Sequence, residues 1–174
     1  MIRYADDVVI LCRSREEAEA ALQMLSKLLT ELQLKLHSKK TKIVNATERG
    51  GFDFLGYHLE RGYRWPSKKS VTKFREAIRK KTKRNNGQSM QTILADINPI
   101  IRGWFNYFKH SHRTTFPTID GWVRMRLRSI LRKRHGCRGR GRGLDHLRWT
   151  NKYFQELGLF TMKESHHILC HSSL

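Results

Sequence analysis

The stretch Ile2-Arg3-Tyr4-Ala5-Asp6-Asp7-Val8-Val9-Ile10-Leu11 decides how the first part of this chain folds. Two adjacent carboxylates, Asp6 and Asp7, are placed between apolar, β-branched runs, a pattern that predicts the tip of a β-hairpin. At such a tip both carboxylates can point into a cleft and hold a hard cation such as Mg²⁺. A phosphoryl-transfer site needs such ions, since they neutralise charge on the attacking and leaving oxygens. The alternative is an ordinary acidic turn, because Asp is a common turn residue.

The residues after the hairpin predict an amphipathic helix that packs on a sheet. Ser14 offers an N-cap and Glu17, three residues later, completes a capping box. Apolar side chains then recur at helical spacing, at Ala18, Ala21, Leu22, Leu25, Leu28, Leu29 and Leu32. We interpret this stripe as core rather than as a surface for a partner.

Three further stretches predict β-structure. Ile43 and Val44 predict a short strand, and the alternating aromatics of 52–59 predict a longer one. Gly56 in the middle of that strand indicates the close approach of another backbone or of a ligand. Arg61-Gly62 predicts a hairpin turn before Tyr63 and Trp65. The β content ends at Pro66-Ser67, where we place a domain boundary.

The next part of the chain predicts three helices. The first runs from about Ser70 to Arg84 and is stopped by Asn85-Asn86-Gly87. The second begins near Ser89 and restarts at Asn98-Pro99, with Asn98 as N-cap and Pro99 at the first helical position. The third follows Pro117 and ends at Gly136. The predicted fold class is therefore α+β.

Net charge limits the classes of partner. The 174 residues carry 35 Lys and Arg against 15 Asp and Glu, a formal charge of +20. Nearly all of the excess lies after residue 45, where 27 basic residues face 9 acidic ones. A domain this basic favours a polyanion, and nucleic acid before a membrane surface, because no basic amphipathic anchor or long apolar run is present. The three distant cysteines and the lack of a visible signal peptide favour a reducing interior, either the bacterial cytoplasm or an organelle.

Arginines mark two candidate nucleic-acid surfaces. Arg124, Arg128 and Arg132 recur every four residues and so share one helix face, which is either a solvated face or one that lies opposite phosphates. The repeat 138–143 alternates Arg and Gly and is either a phosphate-binding segment or a spacer. A short helix is predicted from Trp149 to Leu157, followed by a His- and Cys-containing tail that matches no zinc spacing and that we expect to be disordered.

Four stretches, in order, resemble one protein family. Arg3-Tyr4-Ala5-Asp6-Asp7 resembles the fifth conserved block of group II intron reverse transcriptases, also called intron-encoded maturases. Leu36–Val44, centred on Lys40-Thr41, resembles the next palm block, and Phe54-Leu55-Gly56-Tyr57 resembles the primer-grip block. Asn98–Phe108 resembles the hallmark of the maturase-specific domain, which doubles as the polymerase thumb. The resemblance extends to about Gly158.

The resemblance implies an architecture and an activity. Residues 1–66 would be the last part of a truncated reverse transcriptase palm, made of β-hairpins and one helix and including the primer grip. Residues 67–136 would be an all-α, three-helix thumb or maturase domain, and residues 137–174 a basic Gly/Arg linker, a short helix and a tail. The family activity is RNA-directed DNA polymerisation, and the implied partners are group II intron RNA and the template–primer duplex. A generic basic RNA-binding module without a catalytic role is the alternative.

The resemblance also implies roles for individual residues. The catalytic residues would be Asp6, Asp7 and Lys40, with both carboxylates helping to hold Mg²⁺ and Lys40 acting on the leaving pyrophosphate as a general acid. Tyr4 and Ala5 would lie near the incoming nucleotide, and Phe54, Leu55, Gly56 and Tyr57 would position the primer. The expected RNA-binding residues are Lys68, Lys69, Lys73, Arg102, Arg124, Arg128, Arg132, Arg138, Arg140 and Arg142.

The sequence also departs from the family pattern. The fingers and the first half of the palm are absent, and the other metal-binding aspartate would belong to a strand before residue 1. We therefore expect weak Mg²⁺ binding and no polymerisation by this chain alone, because two metals need carboxylates from both strands. His37-Ser38 stands where the family has Asn-Pro, and no zinc-binding endonuclease domain follows. The expectation is a C-terminal piece that binds intron RNA to aid splicing and mobility, with the missing N-terminal half as a further partner.

Overall fold

The computed structural model of the protein describes residues 1–37 and 40–172. The chain divides into two compact units, Met1–Tyr63 and Arg64–Leu174, which we call the N-terminal unit and the helical unit. Among the residues described, no helix is long and apolar enough to cross a bilayer.

The N-terminal unit begins with the predicted hairpin, which is confirmed. Strands β1 (Ile2–Tyr4) and β2 (Asp7–Val9) are antiparallel, and Tyr4 lies opposite Asp7. Ala5 and Asp6 therefore form the two-residue turn. Ala5 has a φ of +49°, which is unusual for a residue with a side chain.

Helix α1 (Arg15–Glu31) follows, and its predicted N-cap at Ser14 is confirmed, while the predicted return bond of the capping box goes to the residue before the cap. The backbone N–H of Glu17 donates to Ser14 Oγ at 3.2 Å, while the N–H of Arg13 donates to Glu17 Oε2 at 2.9 Å. The prediction that its apolar stripe is core is wrong, because α1 has no buried residue and Leu28 and Leu32 are exposed. Too little sheet is present in this unit to cover a 17-residue helix.

A second sheet has the order β3 (Phe52–Phe54), β4 (Tyr57–Glu60) and β5 (Tyr63–Pro66). The prediction of one strand over 52–59 is wrong, because Leu55 and Gly56 have φ values of +47° and +78° and make a tight hairpin turn. Gly56 therefore serves the turn. The close approach occurs at Gly51, where an added Cβ would lie 2.1 Å from the carbonyl oxygen of Leu59. The predicted turn at Arg61-Gly62 is confirmed, whereas the predicted strand at Ile43-Val44 is wrong, since those residues are irregular.

The helical unit contains three long helices in the region where three were predicted. They are α2 (Lys68–Lys81), α3 (Met90–Phe108) and α4 (Thr115–Arg134). Three shorter helices follow, α5 (Asp145–Arg148), α6 (Asn151–Glu156) and α7 (Met162–His171). Helix α2 packs on α3, and α7 packs on α4. The core is continuous and draws on both the long and the short helices, with Phe116, Leu127, Phe154 and Met162 fully buried.

The region after residue 136 is therefore more ordered than the predicted linker, short helix and tail. Helix α7 replaces the tail that was expected to be disordered. Its His166 ring lies 4.8 Å from the ring of Phe116, where burial lowers the pKa of the imidazole and the nearby His110 lowers it further. The described residues contain no group of three or more His, Cys, Asp or Glu side chains suited to a metal ion.

Helix α3 runs without a break through Pro99, so the predicted restart at Asn98 is wrong. The side chain of Asn98 is used at long range instead of as a cap. Its Nδ2 donates to the carbonyl of Gly158 at 2.8 Å, and its Oδ1 accepts from the N–H of Phe160 at 2.9 Å. These contacts hold the segment between α6 and α7 against α3, beside the proline that cannot donate a helical hydrogen bond.

Asp120 of α4 caps α7 from another helix. Its Oδ1 and Oδ2 accept the N–H groups of Met162 and Lys163 at 3.3 and 2.9 Å, and Thr161, the N-cap residue of α7, makes no side-chain cap bond. Asp120 is 4% exposed, and burial raises its pKa above the ordinary value of 3.8, although the two N–H groups oppose the shift.

This raised pKa predicts a pH effect on stability. The folded protein holds the Asp120 proton more tightly than the unfolded chain does. The stabilisation of the folded state by this proton is therefore fully present below pH 3.8, and it is lost as pH rises through the folded pKa. The free energy of unfolding of the wild type, relative to Asp120→Asn, should therefore increase as pH falls from 7 to 4. Urea titrations at several pH values measure this difference. A difference that is independent of pH, or of opposite slope, would contradict it.

Candidate functional site

The two carboxylates of the first hairpin lie at an exposed turn. Asp6 and Asp7 make no side-chain hydrogen bond or ion pair in the described part of the chain, and Tyr4 beside them is 65% exposed. Arg3 Nε donates to the carbonyl of Ala5 at 3.0 Å and braces the turn. Carboxylate oxygens suit Mg²⁺, which is commonly held by one or two carboxylates together with waters and substrate phosphates. The donor set fits a magnesium ion, although the pair alone leaves most coordination positions to other groups.

Backbone strain is located at the same turn. A left-handed conformation costs a residue with a Cβ about 1–2 kcal/mol, and Ala5 adopts it between Tyr4 and Asp6. A two-residue hairpin turn favours such a conformation, and Leu55 and Arg61 adopt it in the other two hairpin turns. The positive φ of Ala5 therefore follows from the hairpin geometry and does not distinguish a functional turn from an ordinary acidic one.

The other predicted catalytic and primer residues are placed as follows. Lys40 is exposed, its N–H donates to the carbonyl of His37 at 2.9 Å, and no ion pair joins it to either carboxylate among the described residues. Ser38 and Lys39 lie outside the described residues, so the predicted departure at His37-Ser38 is only partly described. Phe54 to Tyr57 form the half-buried turn between β3 and β4.

The prediction that three arginines on one face of α4 lie open to phosphates is wrong for two of them. Arg128 is buried, with Nε donating to the carbonyl of Trp149 at 2.8 Å and Nη2 to Asn151 Oδ1 at 2.9 Å. Arg132 donates to the carbonyl of Arg138 and pairs with Asp145 at 2.7 Å. The physical reason is that the segment from 138 to 154 packs over this face of α4.

Arg124, the third member of the row, is half-buried. Its Nε is buried without a hydrogen-bond partner among the described residues. The other predicted RNA-binding residues are all exposed, namely Lys68, Lys69, Lys73, Arg102, Arg138, Arg140 and Arg142.

A second basic cluster, which the sequence patterns did not predict, surrounds Trp122 of α4. The guanidinium carbons of Arg75, Arg79 and Arg126 lie 5.6, 5.6 and 6.0 Å from the indole centroid. Arg126 also donates to the side-chain and main-chain oxygens of Thr82. The sequence does contain a signal for this cluster. Arg75 and Arg79 are four residues apart, as are Trp122 and Arg126, so each pair shares one face of its helix.

The charges of this cluster are not balanced by acids. Burial lowers the pKa of Arg126, and the Arg79 and Arg84 cations lower it further. In the described part of the helical unit, ion pairs join only Lys81 to Asp96, Arg132 to Asp145 and Lys152 to Glu156. The cluster is therefore an electrostatically unsatisfied surface, which a polyanion would stabilise.

Two family models match the chain, one in each unit. The model described as reverse transcriptase (RNA-dependent DNA polymerase) matches residues 1–59. The model described as group II intron, maturase-specific domain matches residues 71–149. No curated protein matched the chain. The first range includes the carboxylate turn, and the second includes the arginine cluster at Trp122.

Proposed function

The chain belongs to the group II intron reverse transcriptases and maturases, and we propose that its helical unit binds folded intron RNA to aid splicing and mobility. The observation that carries the proposal is the charge of that unit. Residues 64–174 contain 25 Lys and Arg against 6 Asp and Glu, and few of the cations are paired with an acid. Phosphate contacts dominate the affinity for nucleic acid, and structured RNA is recognised largely through shape and backbone.

The N-terminal unit has a separate proposed role. With substrate phosphates present, Asp6 and Asp7 would hold a magnesium ion, which neutralises charge during nucleotide transfer. Tyr4 and Ala5 would flank the incoming nucleotide, Lys40 would donate a proton to the leaving pyrophosphate, and the turn at 54–57 would hold the primer. We propose that polymerisation needs carboxylates in addition to Asp6 and Asp7, because two metal ions need more ligands than this pair supplies. Primer extension by a protein that contains this unit together with such carboxylates, and its loss in Asp6→Ala, tests this role.

The RNA proposal is tested by salt titration. Binding to group II intron RNAs and to an unrelated RNA duplex of equal length should both weaken as salt rises, because counterions are released from the phosphates. Intron binding should retain an advantage of about tenfold or more at high salt, and the chain should accelerate splicing of its preferred intron. Equal affinity and equal salt slope for both RNAs would instead indicate a generic basic RNA-binding module.

The separate roles proposed for the helical unit and for the N-terminal unit give a further prediction. The double variant Asp6→Ala/Asp7→Ala should bind intron RNA within about twofold of the wild type, since removing two carboxylates from an RNA-binding chain removes no phosphate contact. Filter binding with and without Mg²⁺ measures this. As a contrast, Lys68→Ala/Lys69→Ala/Lys73→Ala should lower both affinity and salt slope. A loss of binding confined to the aspartate variant would contradict the proposed division.

A further inference from the structure

An open groove of about 490 Å³ lies on the helical unit at helix α4, which also carries Trp122. Arg84, just after α2, lines it together with Met125 of α4 and the segment 139–142, which supplies Arg140 and Arg142. No acidic side chain lines it, and among the described residues no hydrogen bond or ion pair occupies the guanidinium group of any of these three arginines. Three such groups facing one concavity repel each other unless an anion lies between them.

The backbone that carries two of these arginines is firmly fixed. The N–H of Gly141 is buried and donates to Ser129 Oγ at 3.1 Å, and the N–H of Arg142 donates to Asp145 Oδ2 at 3.0 Å. One residue before this segment, the carbonyl of Arg138 accepts from Arg132 Nε at 2.8 Å. The Arg-Gly repeat is therefore not a spacer. It is a wall with an anchored main chain and free guanidinium groups, which is the preorganisation that anion binding requires.

We propose that this groove binds phosphate groups of an RNA backbone, held by Arg84, Arg140 and Arg142. Guanidinium groups match phosphate oxygens in pairs of hydrogen bonds. The charge continues beyond the groove, since Arg126 lies in the field of both Arg84 and Arg79. Several cations spread over this surface suit successive phosphates of a strand better than one free anion. This inference rests on the proposed RNA-binding function and locates one of its contact sites.

The test compares the complete wild-type chain with two triple variants of equal charge change. The groove variant is Arg84→Ala/Arg140→Ala/Arg142→Ala. The control, Arg113→Ala/Lys152→Ala/Lys163→Ala, removes three cations that do not line the groove. Thermal unfolding establishes that both are folded, and the three groove side chains make no contact whose loss should unfold the protein.

The measured quantities are RNA affinity and its dependence on salt. Each phosphate contact contributes about 0.7–0.9 to the slope of log affinity against log salt, so the groove variant should lose about 2–3 from that slope. The control should keep a slope close to that of the wild type. Arg84→Lys/Arg140→Lys/Arg142→Lys should keep the slope and still lose affinity, because lysine cannot make paired hydrogen bonds to one phosphate.

Three results would overturn the proposal in distinguishable ways. Equal salt slopes and equal RNA affinities for the groove and control variants would exclude the groove as a phosphate-contact site, while the proposed RNA-binding function would still stand. Inorganic phosphate that shifts the amide resonances of Gly139 and Gly141 only in the wild type, with RNA slopes equal in all three proteins, would indicate a site for a free anion. A wild type without salt-dependent RNA binding would overturn the proposed function itself.

Discussion

Replacing Arg128 with alanine should lower the free energy of unfolding of the helical unit by about 2–4 kcal/mol. The substitution leaves the carbonyl of Trp149 and the Oδ1 of Asn151 without their donor, and it removes a guanidinium that lies 5.4 Å from the ring centroid of Phe154. Burial and the Arg124 cation both lower the pKa of Arg128, yet its role depends on donated hydrogen bonds that alanine cannot supply. Urea unfolding followed by tryptophan fluorescence measures the change, because all four tryptophans lie in this unit.

Two further variants make the Arg128 experiment decisive. Lys133→Ala removes an exposed cation of the same helix and should change stability by less than about 0.5 kcal/mol. Arg128→Lys keeps the charge and should be intermediate, because it cannot serve both acceptors in the same geometry. If Arg128→Ala were as stable as wild type but bound RNA with a smaller salt slope, the side chain would face solvent, contrary to the structure.

Replacing Gly141 with alanine should cost about 1–3 kcal/mol, because an added Cβ would lie 2.5 Å from the Cβ of Arg128. That neighbour is the rigid base of a buried side chain, so it cannot move aside cheaply. The N–H of Gly141 would also be pushed away from Ser129 Oγ. Denaturant unfolding should show the loss of stability, and RNA binding should weaken in parallel because the groove wall is displaced.

The matched control is Gly87→Ala. Gly87 is exposed, has nothing within 4 Å of the position of an added Cβ, and does not have a left-handed φ. Its replacement should change stability by less than about 0.5 kcal/mol. An equal effect of both substitutions would show that chain flexibility, and not contact with α4, explains the role of Gly141.

Local signals in the sequence predicted local structure correctly. Ser14 and Glu17 identify the start of α1 because the N-cap bond and the return bond from Glu17 involve only neighbouring backbone groups. The carboxylate hairpin and the three long helices follow from equally local patterns. The turn at Leu55-Gly56 was missed because the aromatic residues continue on both sides of it and only the glycine favours a positive φ.

Errors arose where a side chain contacts residues far away in the chain. Asn98 is a residue type that is favoured at the N-cap, but its side-chain amide forms hydrogen bonds with Gly158 and Phe160, some sixty positions later. The arginines of α4 have the spacing of a solvated face, but Arg128 contacts residues more than twenty positions away. No window of sequence contains both partners, so spacing alone could not distinguish an exposed arginine from a buried one.

Arg128 is buried and Arg132 is paired with Asp145, so the arginine spacing of α4 no longer connects that helix with RNA. The family assignment does not depend on it, since the two matched ranges cover most of both units. The case for RNA now rests on exposed lysines and arginines and on the unpaired cations around Trp122. The test of that case is therefore the salt dependence of binding by those residues.

The absence of any fully buried residue among those described in 1–63 has a calorimetric consequence. The heat-capacity change on unfolding increases with the apolar surface that unfolding exposes to water. In this unit much of that surface is already exposed in the folded state. A scanning calorimeter would record the melting of the helical unit almost alone. RNA bound to that unit would raise the transition temperature in proportion to the logarithm of its concentration over Kd, because a ligand of the native state adds to its stability.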